Sequence, residues 1–141
     1  MVRWLQKLWL TEFSGYADNY EAAGKWAGDN PAIANVFQRT GDDEARHADL
    51  LRELLTARGA FPPEPWPVES DYWAEMDAHI VSLETCAAVF HLGETLAAER
   101  FEVIFNHPGT PADIAAFLSV ALPDEQHHAR VFRRLSTPEA I

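Results

Sequence analysis

The chain has one cysteine in 141 residues, Cys86. That excludes a disulfide framework, a four-thiolate zinc site and an appended four-cysteine iron centre. Basic residues are scarce: 11 Lys and Arg stand against 22 Asp and Glu, for a net charge of -11. Nucleic-acid and anionic-membrane surfaces depend on clustered cations, so neither partner is expected. Glycine is sparse and 48% of the chain is apolar, which argues for a packed globular protein over disorder. No long apolar run is present. The opening "MVRWLQKLWLTEF" is interrupted by Gln6, Lys7 and Glu12, and is too short and mixed for a signal peptide or a membrane span. A cytoplasmic chain folding as a single domain over residues 1–141 is the expectation.

Strand-like alternation is also missing. Apolar residues recur at three- and four-residue steps, so the expected class is all-α. The first helix runs from about Val2 to Ala27 and stops at "GDNP", where Asn30 can cap the second helix and Pro31 suits its first position. The second continues to about Arg58, with Gly59 as its stop. "AFPPEPWPVES" holds four prolines and cannot be helical throughout. Ser70 can cap a short helix, "DYWAEMDAHI", leading into a third long helix that ends near Asn106. "HPGTP" breaks that helix, Thr110 can cap, Pro111 starts the fourth, and "STP" ends it near Leu135. Two pairs with short turns, joined by one long crossover between the second and third long helices, make a four-helix bundle of ferritin-like connectivity.

What the chain does contain is a repeat. "DDEARHADL" (42–50) and "PDEQHHARV" (123–131) share Asp-Glu-x-x-His-Ala, with Asp43 and Asp124 81 residues apart. Glu12 lies 32 residues before Glu44, and Glu94 lies 31 before Glu125. In an antiparallel pair, residues equidistant from the turn lie level. The first turn centres near Asp29, so Glu12 faces about position 46, beside Glu44 and His47. The second centres near Pro108, so Glu94 faces about position 122, one turn from Glu125. Within each Glu-x-x-His, the three-residue step puts carboxylate and imidazole on one face.

Four carboxylates in a helical core are very costly unless their charge is met. Two divalent cations meet it, and an imidazole completes the coordination of each. Carboxylate–imidazole donor sets suit iron or manganese, whereas zinc and copper sites more often add His or Cys. A solvated helix face would account for one Glu-x-x-His, but not for two copies with a shared Asp and matched upstream glutamates.

Glu12 followed by Asp43-Glu44-Ala45-Arg46-His47 resembles the Glu…Asp-Glu-x-Arg-His signature of ferritin-like di-iron oxygenases, and "DDEARHADLL" is similar to rubrerythrin. The resemblance implies a centre of two iron ions, with a manganese–iron pair as the variant. Glu12, Glu44 and His47 would bind mainly one ion, Glu94, Glu125 and His128 the other, and one or two glutamates would bridge. It also implies that Asp43 supports His128 and Asp124 supports His47, fixing the imidazole tautomers. Arg46 belongs to the same signature. Two departures stand out: Ala97 replaces an extra glutamate of rubrerythrins, and His127 replaces the oxygenase arginine.

The expected activity is a di-iron oxidoreductase reacting with dioxygen or peroxide, of oxygenase, hydroxylase or peroxidase type. It would use a small-molecule substrate and a separate electron donor. The alternatives are a ferroxidase or iron-storage protein without organic substrate, and a metal-free helical interaction module. A homodimer is compatible with the acidic surface and its aromatics. Among other candidates, Tyr20 can hydrogen-bond a ligand or carry an oxidising equivalent, although packing accounts for it and for Tyr16 more economically. His91, one turn before Glu94, reads as a satisfied rim histidine, with an added ligand or proton donor as the other reading. Glu21, Glu75, His79, His107 and His127 read as surface. Pro123, just before the second motif, is expected to bend the fourth helix.

Overall fold

The computed structural model describes residues 1–63 and 71–136, the side chains of 71–73 excepted. Five helices follow in order: α1 (Val2–Trp26), α2 (Pro31–Ala57), α3 (Asp71–Ala78), α4 (Leu83–Asn106) and α5 (Ala112–Leu135). No strand occurs among the described residues. The all-α class expected from periodicity is the one adopted. None of these helices is long and apolar enough to cross a membrane. The chain divides into two compact units, Met1–Pro67 and Val68–Ile141.

The first unit is the α1–α2 hairpin. Contacts join Gln6 to Ala60, Glu12 to His47 and Tyr20 to Asp42, so α2 descends as α1 climbs. The turn is made by side-chain chemistry. Asn30 Oδ1 accepts from Ala32 N at 3.0 Å and Ile33 N at 3.2 Å, and Pro31 follows where no N–H is needed. At the far end Gly59 has φ +66, its N–H donates to Thr56 O, and the Ala60 N–H donates to Leu55 O. Those two bonds form a Schellman motif, and only glycine takes that φ without strain. Leu5, Phe37, Leu51 and Leu55 are fully buried, each contributing roughly 1.5–3 kcal/mol.

The second unit holds α3 and the α4–α5 hairpin. Phe90 meets Phe132 at 5.4 Å between centroids, His91 meets Ala129, and Phe101 meets Phe117, again in antiparallel order. Cys86, Phe101, Ile114, Leu118 and Phe132 are buried here. The expected cap Ser70 lies outside the described residues. The short helix and the third long one are separate, as expected. Ser82 breaks the chain and starts α4 with a capping box, accepting from Thr85 N while Thr85 Oγ1 accepts from Ser82 N.

One detail differs from expectation. Thr110 does not cap α5: its hydroxyl donates back to Ile104 O, and α5 begins behind Pro111 with no side-chain cap. Pro123 lies inside α5, which continues unbroken from Ala112 to Leu135. The proline removes the N–H that would serve Ser119 O, but Pro123 and Ser119 are both exposed, so water can serve that carbonyl.

Asn30→Ala removes the acceptor of two helix N–H groups and should cost about 1 kcal/mol in urea unfolding. An unchanged midpoint would show that the turn is held by packing alone.

Candidate metal centre

Each hairpin brings two carboxylates and one imidazole together. In the first, α1 supplies Glu12 and α2 supplies Glu44 and His47 from successive turns of one face. One ligand atom from each lies within 4.8 Å of the others. In the second, α4 supplies Glu94 and α5 supplies Glu125 and His128, within the same limit. All six side chains are buried, His47 and His128 almost completely.

The distances inside each triad repeat as well. His47 Nδ1 is 3.5 Å from Glu12 Oε1, and His128 Nδ1 is 3.4 Å from Glu94 Oε2. A charge-assisted N–H···O bond draws its atoms to about 2.7–2.9 Å. The wider spacing fits two donors sharing one ion instead. Bonds of roughly 2.0–2.2 Å at near-right to tetrahedral angles leave ligand atoms about 3.0–3.5 Å apart. Oxygen-rich donors with one imidazole, and no thiolate, suit iron or manganese. The residues present therefore fit a divalent ion in each hairpin.

The residues expected to support the ligands have these surroundings. Asp43 pairs with Arg46 Nη2 at 3.1 Å on α2, so Arg46 serves that carboxylate at the surface. Asp124 sits half-buried beside Glu125. Tyr20 does not hydrogen-bond a ligand: its hydroxyl donates to Asp42 Oδ1 at 2.7 Å on the exposed side. Tyr16 stacks obliquely on it, 4.8 Å between centroids. His91 Nδ1 lies 2.8 Å from Ala129 O, and since a carbonyl only accepts, the ring donates there. That bond is the satisfied rim role expected for His91. Glu21, Glu75, His79, His107 and His127 are exposed.

Two residues beside the first triad escaped the sequence reading. Asn19, buried, lies two turns after Glu12 and donates its amide to Gly15 O at 2.9 Å. Gly15 itself abuts Glu44. The signal available was their seven- and three-residue spacing from Glu12, on one helix face.

The Tyr20 phenol is pushed up from 10.0 to about 12, first because Asp42 accepts its hydrogen bond and then through burial and the nearby charge. Because the folded value is the higher one, this bond's contribution to stability is full below pH 10 and is lost as pH rises through about 12. Asp42→Asn should therefore return one of the three tyrosines toward an ordinary titration, read from phenolate absorbance. An unchanged titration would remove Asp42 as the cause.

Residues 10–136 match the family model described as Rubrerythrin. Two curated relatives are magnesium-protoporphyrin IX monomethyl ester [oxidative] cyclases. Cyclase 1 of Nostoc sp. is 23% identical over 148 residues, covering 95% of this chain and 38% of the cyclase. Cyclase 2 of Thermosynechococcus vestitus is 24% identical over 156 residues, covering 99% of this chain and 40% of the cyclase. The chain thus spans about two fifths of the length of these relatives. No solved structure gives a significant match. The all-helical architecture is that of the ferritin-like class, and the match supports a di-iron oxidoreductase kind of function. With the family model covering most of the sequence, both triads included, the chain belongs to the rubrerythrin family.

Proposed function

We propose that this chain is a non-haem di-iron oxidoreductase that uses dioxygen to oxidise a small organic substrate. Glu12, Glu44 and His47 would hold one iron, and Glu94, Glu125 and His128 the other. The observation that carries the reading is the pair of buried Glu-Glu-His triads with matching internal distances. Family membership supports iron, and the relatives' description as oxidative cyclases supports oxidation of an organic substrate over peroxide reduction. Ala97, lacking the carboxylate that rubrerythrins place there, leans the same way. The two hairpins would act as one domain. A separate reductase would deliver electrons.

The protein's own part is electrostatic and steric. Four carboxylates would neutralise the charge of two divalent ions, so the loaded centre would carry little net charge where unpaired ions would be costly. Burial keeps bulk water from the ligands. The imidazole Nδ1 atoms face the carboxylates, so they must be unprotonated to serve as donors. When bound, the iron pair supplies the redox chemistry with dioxygen.

Anaerobic loading should reach two Fe(II) per chain and raise the thermal midpoint, worth about 2.7 kcal/mol per site at a hundredfold excess over Kd. A chelator should reverse the gain. Glu125→Gln separates the metal role from a structural one by sign. Removing a buried charge should stabilise the chelated protein, on the order of 1–3 kcal/mol, while abolishing part of the gain on loading. Loading well short of two ions, with Glu125→Gln equally destabilising with and without chelator, would sink the proposal. Oxygen uptake by the loaded protein that ends in released ferric ion would identify a ferroxidase instead.

A further inference from the structure

Gly15 lies one turn after Glu12 in the interior of α1, where glycine is a poorer helix former than alanine. A Cβ built there would meet Glu44 Oε2 at 3.1 Å, Cδ at 3.2 Å and Cγ at 3.3 Å. The Glu44 carboxylate thus occupies the space beside the backbone that a methyl group would need. Contacts this close oblige the neighbour to give by a few tenths of an ångström. The carboxylate is buried, and the turn it rests on is held by the Asn19 amide on Gly15 O. By contrast Gly24, near the end of the same helix, has nothing within 4 Å of its virtual Cβ. The repeat gives a second comparison: the place equivalent to Gly15, three residues after Glu94, is Ala97.

We propose that Gly15 is a positioning residue for the metal centre. Its missing side chain sets where the Glu44 carboxylate sits, and it makes the metal position of the first hairpin unlike that of the second. The inference rests on the metal reading above but adds to it an asymmetry that the ligand repeat does not contain.

Cobalt(II) titration tests it, because the visible bands of bound cobalt report geometry as well as affinity. The wild-type chain should bind two ions. Gly15→Ala should weaken at least one of them by about tenfold or more and alter its bands. Its metal-free thermal midpoint should be unchanged or higher, since alanine favours the helix. Gly24→Ala should share that stability effect and bind cobalt as wild type does. A Gly15→Ala titration and spectrum superimposable on wild type would overturn the proposal. Should Gly15→Ala fail to fold, adding Glu44→Ala removes the colliding carboxylate: recovery of folding supports the contact, and no recovery refutes it. Failure of the wild-type chain to bind cobalt at all would instead bring down the metal reading, and this inference with it.

Discussion

Carrying a carboxylate from water into a helical interior costs several kcal/mol unless its charge is met, and Glu12, Glu44, Glu94 and Glu125 all make that transfer. Much else in the chain follows from keeping them there. Each hairpin sets its carboxylates beside an imidazole, and apolar residues flank them along the same faces, among them Leu5 and Leu51 in one hairpin and Phe101 and Phe132 in the other. The Asn30 cap, the Schellman turn at Gly59 and the capping box at Ser82 close backbone groups that would otherwise loosen the helix ends. Register along each hairpin is therefore held at both ends, with the polar layer between.

The polar layer was legible in the sequence because it is periodic. A three-residue step, a near-constant distance to an upstream glutamate and a well-punctuated turn place atoms in three dimensions without knowledge of the rest. The turn at "GDNP" was legible for the same local reason, since asparagine and proline act on their own neighbours. The misreadings share a cause. Thr110 and Tyr20 each had two plausible hydrogen-bond partners, and position along the chain does not choose between them. Gly15 went unnoticed because a glycine reports what approaches it only once the approach is visible.

The two halves are alike in ligands and unlike in surroundings. The first triad sits beside a glycine and a buried asparagine, and its hairpin carries an exposed tyrosine pair of which Tyr20 hydrogen-bonds Asp42. The second sits beside His91, whose ring bond to Ala129 O ties α4 to α5 next to His128. Duplicated Glu-Glu-His triads repeat one donor set, while unshared neighbours give the two positions different surroundings.

The burial of Cys86 has a chemical consequence for a protein in this family. It is the chain's single thiol, and it lies inside the α4–α5 hairpin with 1% of its surface exposed. Thiols oxidise through the accessible thiolate, first to sulfenic acid and then irreversibly beyond it. Any oxidant in solution puts an exposed sulfhydryl at risk of that ladder, and here the sulfur is out of reach of solvent. Placement of one sulfur atom thus keeps the chain's single thiol off an irreversible path.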